Sequence, residues 1–361
     1  MLGPRQCGKS TLAKEYLKTK KDTVYLDLEN DQDRFKIKDI WEFFNYHKEK
    51  LICLDEIQRL PEIFSQIRSY VDQSSGNGRF LILGSASRDL IKQSSETLAG
   101  RISYIEMGPF SYKELQDTQW LNEHFIRGSF PRSVLAKSHE ESFDWRKNYI
   151  RTFLERDIPN LGFRVPSSVL NNFWHMLAHL QGQILNADKL GTSLGVTAHT
   201  VKNYIHILKE TFMIRCLPAY FFNTKKRLIK SQKIYIRDTG IVHALLNLDS
   251  IDNLLGHPVY GFSYETYVIE TLINLYPQHE AYFFKTAKGE EIDLVLIKGQ
   301  QKIAFEIKAS AVPKIEKGFW SALDILKPDE VCIIAKVDKD YPIQNGVMVK
   351  SLSSVVSSTK V

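Results

Sequence analysis

Residues 3–10 read Gly-Pro-Arg-Gln-Cys-Gly-Lys-Ser and fit the phosphate-binding loop pattern G-x-x-x-x-G-K-[ST]. Gly3 and Gly8 permit backbone angles and a close approach that a side chain would block. The N–H groups of such a loop point inward and form an anion-binding nest, and Lys9 adds a positive charge for the outer phosphates. A helix that begins at Lys9 directs the positive end of its dipole at the same phosphates. The stretch therefore predicts a nucleotide-phosphate site.

A second stretch supplies two acids. Residues 51–56, Leu-Ile-Cys-Leu-Asp-Glu, form an apolar run that ends in these acids, as a buried parallel strand does at its carboxyl end. Asp55 is expected to hold Mg²⁺, directly or through water, together with the hydroxyl of Ser10, because this cation prefers oxygen. Glu56 is expected to orient and activate the attacking water in ATP hydrolysis. Taken alone, either stretch also fits an ordinary turn or strand end. The predicted nucleotide-binding residues are Gly3, Pro4, Arg5, Gln6, Cys7, Gly8, Lys9, Ser10 and Thr11.

Short apolar strands alternate with helical patterns over residues 1–108, which indicates an α/β domain with a parallel sheet. Only Met1 and Leu2 precede the phosphate loop, so the strand that normally leads into such a loop is expected to be nearly absent. The strands of the domain are predicted at residues 23–28, 51–54 and 80–83. Helical spacing predicts that the first helix buries Leu12, Ala13, Tyr16 and Leu17.

Two further residues are candidates for the catalytic site. Ser85 follows the third strand, in Gly84-Ser-Ala-Ser87, and is expected beside the other strand ends, near the γ-phosphate. A plain strand-to-helix turn is the alternative interpretation. Arg101 ends residues 94–101 and can stabilise charge on the γ-phosphate, often that of a neighbouring subunit. It can equally be a surface residue at a helix end.

After a helical linker predicted at residues 109–165, a winged-helix domain is predicted at residues 166–250. Residues 184–208 have helix-turn-helix form, with helices at 186–194 and after Gly195 and with Thr197 as the cap of the second helix. Strands at 217–220 and 233–236 are expected to pair as a wing. The predicted DNA-binding residues are Lys202, Asn203, Lys225, Lys226 and Arg227. Since the second helix carries few groups suited to reading bases, a packing module is the alternative, and DNA contact is expected to be mostly non-specific.

Residues 251–361 carry a nuclease-like pattern. Asp293 lies on a strand predicted at 292–297, and Glu306 and Lys308 lie on the next strand, which gives D-x₁₂-E-x-K on a hairpin. Glu265 shares the apolar face of a preceding helix, for which Ser263 is a candidate cap. Three carboxylates can hold Mg²⁺, and Lys308 can steady the nucleophile or the developing charge. A solvated strand face with alternating charge is the alternative.

Composition limits the possible functions. The chain has 361 residues, enough for several domains, and its net charge of +6 is compatible with nucleic acid without proving a contact. Its four cysteines are scattered, which indicates a reducing compartment and no structural zinc. The chain contains no apolar run of about 18 residues and no leader before the phosphate loop, so we expect a cytoplasmic protein with no membrane partner.

The whole chain resembles a prokaryotic family of AAA+-type ATPases with a C-terminal winged-helix and restriction-endonuclease-like, PD-(D/E)xK, region. The stretches that carry the resemblance are Gly-Pro-Arg-Gln-Cys-Gly-Lys-Ser (3–10), Leu-Asp-Glu-Ile-Gln (54–58), Gly-Ser-Ala-Ser (84–87), Leu-Ala-Gly-Arg (98–101), Leu-Glu-Arg-Asp-Ile (154–158), Tyr-Ile-Arg-Asp-Thr-Gly (235–240) and Glu-Ile-Asp-Leu-Val-Leu…Phe-Glu-Ile-Lys (291–308). The resemblance implies Mg-ATP at Lys9, Ser10, Asp55 and Glu56. It also implies nuclease-like positions at Glu265, Asp293, Glu306 and Lys308.

Two functions follow as hypotheses. The first is an ATPase that couples Mg-ATP binding and hydrolysis to action on double-stranded DNA through the winged-helix and nuclease-like domains. The second is a nucleotide-dependent regulatory switch that binds a protein partner and whose nuclease-like domain is an inactive scaffold. Double-stranded DNA, a protein and a second copy of the chain in a homo-oligomer are the candidate partners. Whether the nuclease-like residues cleave nucleic acid is left open.

Overall fold

The computed structural model describes residues 1–73, 76–85, 98–222 and 228–359. The chain divides into two compact units. The first comprises Met1–Pro109, Asn160–Phe163 and His206–Met213, and the second comprises Phe110–Pro159, Arg164–Ile205 and Ile214–Val361. The helices α9 (Ile158–Asn160) and α12 (Ala198–Glu210) each contribute residues to both units. The predicted division into four domains remains a prediction.

A parallel sheet forms the centre of the first unit and confirms the predicted α/β class. Its strands β1 (Thr23–Asp27), β2 (Leu51–Asp55) and β3 (Phe80–Ile82) lie side by side in this order, and both pairs are parallel. Leu2 forms parallel bridges with Gly84 and with Glu106, so a single residue stands in the sheet just before the phosphate loop. The helices of this part of the chain are α1 (Lys9–Lys18), α2 (Asp31–Lys36), α3 (Ile40–Tyr46) and α4 (Ile63–Gln73), with a 3-10 turn at Ile57–Arg59.

The helix that follows the phosphate loop begins at Lys9 as predicted, but it buries a narrower face. Ala13 and Leu17 pack in a small cluster with Cys53 and Leu83. In contrast to the prediction, Leu12 is 51% exposed and Tyr16 is 46% exposed. The reason is that α1 meets the sheet only through one residue per turn, at i and i+4, so the neighbouring positions point away from the core. The spacing of apolar residues alone therefore predicts more buried side chains on α1 than the structure shows.

A small antiparallel sheet organises the middle of the second unit. Its strands β4 (Gln183–Ile184), β5 (Ile214–Leu217) and β6 (Lys233–Ile236) lie in the order β4-β6-β5. The strand predicted at residues 217–220 lies instead at Ile214–Leu217, so the prediction overlaps it only at Leu217. The helices before and beside this sheet are α5 (Tyr112–Leu115), α6 (Leu121–Arg127), α7 (Pro131–Val134), α8 (His139–Thr152), α10 (Ser167–His179), α11 (Ala187–Leu194), α13 (Thr239–Leu245) and α14 (Ile251–Leu255), with a π-helical stretch at Phe153–Asp157.

The turn between α11 and α12 has the predicted form. The side chain of Asn186 accepts a hydrogen bond from the backbone N–H of Lys189 and caps α11. Gly195 takes a left-handed conformation with φ of 69°, which suits a residue without a side chain. The hydroxyl of Thr197 accepts from the backbone N–H of Thr200 at 3.1 Å and caps α12.

A mixed sheet of six strands forms the C-terminal part of the second unit. Its strands β7 (Glu280–Lys285), β8 (Glu291–Lys298), β9 (Gln301–Lys308), β10 (Glu330–Ala335), β11 (Tyr341–Pro342) and β12 (Met348–Lys350) lie in the order β11-β12-β10-β9-β8-β7. The predicted hairpin is β8–β9, which is antiparallel, whereas β9 and β10 are parallel. The remaining helices are α15 (Tyr260–Leu275), α16 (Lys317–Leu326) and α17 (Leu352–Ser358).

Helices cover both faces of this sheet. Leu272 of α15 packs with Leu294 on one face, and Phe319 of α16 packs with Val295 on the other. The cap predicted for α15 is wrong, because this helix begins at Tyr260 and Ser263 lies one turn inside it. No helix within the described ranges has both the length and the apolar character needed to cross a membrane.

Candidate functional site

The phosphate loop of the first unit needs glycine for reasons that the structure makes explicit. A Cβ atom added to Gly3 would lie 2.0 Å from the backbone oxygen of Met107. Gly8 has a φ of 104°, which side-chain-bearing residues rarely adopt. The ammonium group of Lys9 is buried and donates to the backbone oxygens of Gly3 at 2.9 Å and of Pro4 at 2.8 Å. The ammonium group of Lys9 is therefore hydrogen-bonded to backbone carbonyl groups of its own loop.

The other loop residues predicted to bind the nucleotide differ from one another in burial and in their contacts. Arg5 donates to both carboxylate oxygens of Glu29 at 3.1 and 3.2 Å, and Gln6 is exposed with a φ of 63°. Burial raises the pKa of the Cys7 thiol, which makes it a poor nucleophile. Ser10 and Thr11 lie in the first turn of α1, where Ser10 is half-buried and Thr11 is exposed.

The acid predicted to hold Mg²⁺ ends β2 and is almost completely buried. One carboxylate oxygen of Asp55 accepts from the hydroxyl of Tyr25 at 2.6 Å, and the other accepts from the backbone N–H of Glu56 at 2.9 Å. Tyr25 was missed by the sequence analysis. It lies on the neighbouring strand, opposite Cys53, which is two residues before the acid. The strand pairing that brings the two side chains together cannot be inferred from the apolar run alone.

The predicted catalytic acid contacts the predicted sensor residue. The hydroxyl of Ser85 donates to one carboxylate oxygen of Glu56 at 3.3 Å, and the side-chain amide of Gln58 donates to the other oxygen. Glu56 itself has a φ of 53°, a left-handed conformation in which strain is expected for a residue with a side chain. Gln58 was missed by the sequence analysis, although it stands two residues after this acid.

The structure does not bring Arg101 to these residues. Its guanidinium group forms an ion pair with Asp72 near the end of α4, with one nitrogen–oxygen distance of 3.2 Å. In this structure it occupies the surface position that the sequence analysis gave as the alternative. Residues 86, 87 and 94–97, which the predictions also used, lie outside the described residues.

Of the five predicted DNA-binding residues, two lie in the part of the chain that the structure describes and three do not. Lys202 and Asn203 are exposed on α12, and the amide of Asn203 lies 3.5 Å from a ring nitrogen of His199. Lys225, Lys226 and Arg227 lie outside the residues that the structure describes. The structure therefore supports an accessible polar helix face and does not bear on the predicted wing.

The four nuclease-like residues of the second unit do converge. Glu265 of α15, Asp293 of β8, and Glu306 and Lys308 of β9 line one cavity with a volume of 530 Å³. The spacing of these residues on a hairpin, with Glu265 on the preceding helix, thus predicted that their side chains lie close together. Three side chains that were not predicted from the sequence complete the cluster, namely Lys233, Tyr235 and Glu291.

The ammonium group of Lys233 lies where the carboxylates of this cluster meet. It is 2.9 Å from an oxygen of Glu291, 3.4 Å from an oxygen of Glu265 and 3.7 Å from an oxygen of Asp293. The hydroxyl of Tyr235 donates to the same Glu265 oxygen at 2.6 Å. Because strand residues alternate between faces, Lys233 and Tyr235 point the same way from β6. In the strand predicted at 233–236, this alternation could have shown that Lys233 and Tyr235 share a face, but not which acids that face meets.

On the opposite side of the cavity the carboxylates have fewer partners. The other oxygen of Asp293 accepts from the backbone N–H of Ile307 at 2.9 Å. Lys308 donates to one oxygen of Glu306 at 2.7 Å. The second oxygen of Glu306 is buried and has no hydrogen-bond partner among the described residues.

The protonation of the cluster reflects its burial. Burial raises the pKa of Glu265 to about 7, although Lys233 opposes this change. Burial and the nearby Asp293 raise the pKa of Glu306 to about 8. Burial lowers the pKa of Lys233, but the surrounding acids outweigh it and the pKa lies well above its ordinary value. The acids therefore favour the charged form of Lys233, as they do for Lys308, whose pKa burial lowers but the neighbouring Glu306 raises above its ordinary value.

Oxygen ligands of this kind suit Mg²⁺, but their arrangement does not. Within the described parts of the chain, no three acidic, histidine or cysteine side chains are placed to hold a metal ion. The carboxylates point instead at the Lys233 ammonium group. We therefore derive no catalytic step through a metal at this cluster.

The parallel sheet and the loop that opens α1 are consistent with a P-loop ATPase domain. Residues 1–116 match the family model described as an AAA domain, and residues 118–252 and 260–355 match two domains of unknown function, DUF8612 and DUF4143. The uncharacterized protein Rv2008c of Mycobacterium tuberculosis is 35% identical over 361 residues, which is 100% of this chain and 81% of that protein. The uncharacterized protein Mb2031c of Mycobacterium bovis matches to the same extent. The chain belongs to the family of these two proteins.

A third relative has a lower sequence identity and is aligned with a smaller share of this chain. The uncharacterized protein MJ1544 of Methanocaldococcus jannaschii is 22% identical over 341 residues, with 81% of this chain and 75% of that protein covered.

Proposed function

We propose that the chain is an ATPase that binds Mg-ATP at its N-terminal phosphate loop and hydrolyses it there. The observation that carries this proposal is the contact between Glu56 and Ser85 at the ends of β2 and β3. The match of residues 1–116 to an AAA domain supports it. Mg²⁺, when bound, would neutralise charge on the outer phosphates.

The residues of the loop supply the binding step. The backbone N–H groups around Gly8 would contact the phosphates. Lys9 would exchange the backbone oxygens of Gly3 and Pro4 for phosphate oxygens, which are better partners for an ammonium group because they are charged. The hydroxyl of Ser10, in the first turn of α1, would face the same phosphates.

The two acids at the strand end would have different roles, Asp55 as a ligand of Mg²⁺ and Glu56 as the general base. Each carboxylate oxygen of Asp55 accepts one hydrogen bond, from Tyr25 or from the backbone of Glu56, and so keeps a lone pair for a cation or its water. Glu56 would accept a proton from the attacking water. Ser85 and Gln58 hold the carboxylate of Glu56 from its two sides.

Nucleotide binding is tested with a fluorescent ATP analogue and two lysine variants. Lys9→Ala is expected to weaken binding about 10-fold or more, because hydrogen bonds to charged groups contribute about 1.5–3 kcal/mol. Lys18→Ala removes the same charge from the exposed end of the same helix and is expected to bind like the parent protein. Equal affinity of all three proteins would contradict the assigned loop.

We further propose that ATP turnover is coupled to a weak, mostly non-specific contact with double-stranded DNA. Support comes from the exposed face of α12 with Lys202 and Asn203, and from the order of α10, β4, α11, α12, β5 and β6, which suits a winged helix. Electrophoretic mobility of labelled duplex at low salt tests this contact. Lys202→Ala should weaken the shift, whereas Lys317→Ala, on the exposed start of α16, should not.

A regulatory switch with an inactive nuclease-like scaffold is the second candidate function. The observation that favours it is the Lys233 ammonium group among the carboxylates that a nuclease would use for metal. Absence of any mobility shift at micromolar protein, with and without ATP, would favour this candidate over the DNA contact.

A further inference from the structure

One buried lysine neutralises the carboxylate cluster of the second unit. Lys233 is 5% exposed, and its ammonium group is within 4 Å of carboxylates from α15 and β8. Carboxylates that are buried together repel each other, so such a cluster needs a cation at its centre. Here the chain provides that cation from a third element, β6.

The position of this lysine is fixed by its strand. Lys233 pairs with Ile184 of β4 on one side and with Leu217 of β5 on the other, so its backbone is held in the middle of a sheet. Its ammonium group also lies over the ring of Phe283, 5.5 Å from the ring centre. This pairing fixes the point on the backbone from which the Lys233 side chain reaches the cluster.

The rest of the cluster retains unused capacity for a cation. Glu306 is 7% exposed, and one of its carboxylate oxygens has no hydrogen-bond partner among the residues that are described. The carboxylates of Glu265, Asp293 and Glu306 all line the same 530 Å³ cavity. Carboxyl groups that could turn toward a divalent ion are thus present, although no three of the described ones are placed to hold it, and the ammonium group among them opposes its entry by charge repulsion.

We propose that Lys233 is the built-in counter-ion of this cluster and keeps divalent cations out of it. The carboxylates are held on the lysine and away from a metal-binding arrangement, and replacement of that lysine lets them turn toward a divalent cation. The inference concerns the second unit alone and does not depend on ATP hydrolysis in the first.

Manganese binding tests the proposal. All proteins carry Asp55→Asn, so that the first unit contributes no metal signal, and each is titrated with Mn²⁺ by calorimetry and by electron paramagnetic resonance. Lys233→Met is expected to bind one Mn²⁺ at least about 10-fold more tightly than the parent, since a positive charge about 4 Å away is removed. The added change Glu306→Gln should abolish this gain.

Lys285→Met is the matched control. Lys285 forms an ion pair with Glu291 at the edge of the same cavity and is partly exposed, so the variant removes an equal charge but leaves the centre occupied. It should bind Mn²⁺ like the parent. A folded Lys233→Met protein that gains no Mn²⁺ binding would overturn the proposal, as would an equal gain in Lys285→Met.

Measurements on a protein with the lysine intact decide the question even if Lys233→Met fails to fold. The parent and its Glu306→Gln variant should give the same Mn²⁺ titration and the same melting temperature with and without Mn²⁺, because the cluster holds no metal. Tighter Mn²⁺ binding by the parent, lost in Glu306→Gln, would show that the site is open and would overturn the proposal.

Discussion

The hydroxyl of Ser85 lies 3.3 Å from a carboxylate oxygen of Glu56, across the ends of two neighbouring parallel strands. β2 and β3 run in the same direction, so the residues that follow them meet at one edge of the sheet. This contact joins the residue predicted to activate water with the residue predicted to sense the γ-phosphate.

Removal of that contact should slow hydrolysis more than it weakens binding. Ser85→Ala leaves Glu56 with the Gln58 amide as its described side-chain partner, so the carboxylate is less well oriented. We expect kcat to fall by about 5- to 50-fold, with the nucleotide Kd within about 2-fold, because a hydrogen bond to a charged group contributes about 1.5–3 kcal/mol and the Gln58 amide retains part of the orientation. Ser69→Ala, on the exposed face of α4, is the control. Equal kcat values in both variants would contradict the role of Ser85.

The hydroxyl of Tyr25 should tune the metal dependence of hydrolysis. Tyr25→Phe keeps the ring and removes the hydrogen bond of 2.6 Å to Asp55. The carboxylate that we propose to hold Mg²⁺ then loses one of its orienting partners, so the Mg²⁺ concentration for half-maximal hydrolysis should rise by about 3- to 10-fold. Tyr16→Phe, on the exposed side of α1, should leave it unchanged. A Mg²⁺ requirement that Tyr25→Phe does not alter would show that this tyrosine is structural.

Acid should weaken the second unit through Glu270. Burial raises the pKa of this acid, but Arg215 and Arg237 outweigh it and hold the pKa at about 2. A carboxyl group with a pKa lowered by folding stabilises the fold at pH above its unfolded value of about 4.5. The contribution is lost as pH falls from about 4.5 to about 2.

Urea unfolding of Glu270→Gln against pH checks this assignment. The side chain is 13% exposed, and the variant should lose about 2–4 kcal/mol at pH 7, with a smaller difference from the parent at pH 3. Glu155→Gln breaks an exposed ion pair with Arg151 and should cost less than about 1 kcal/mol. A difference between Glu270→Gln and the parent that stays constant from pH 7 to pH 3 would contradict the ion-pair assignment.

The sequence predicted those features that depend on residues close together in the chain. The start of α1 at Lys9, the cap at Thr197 and the hairpin with Asp293 and Glu306 all follow from local spacing and from side-chain chemistry. The apolar run at residues 51–54 likewise predicted a buried parallel strand that ends in acids.

Partners from distant parts of the chain could not be predicted in the same way. Lys233 reaches Glu291 and Tyr25 reaches Asp55 only because particular strands and helices pack together, and alternation along a single strand does not reveal which neighbour it faces. The exposed Leu12 shows the same limit, because helical spacing shows which residues share a face and not how much of it is covered.

Mg²⁺-dependent ATP hydrolysis by the purified full chain and by Glu56→Gln tests the central claim most directly. We expect turnover by the parent protein and a loss of about 100-fold or more in Glu56→Gln, since general-base catalysis contributes roughly 10²- to 10⁴-fold. The variant should still bind the nucleotide, and Glu62→Gln, an exposed neighbour, should turn over like the parent. Hydrolysis that continues at the parent rate in Glu56→Gln would contradict the assigned site.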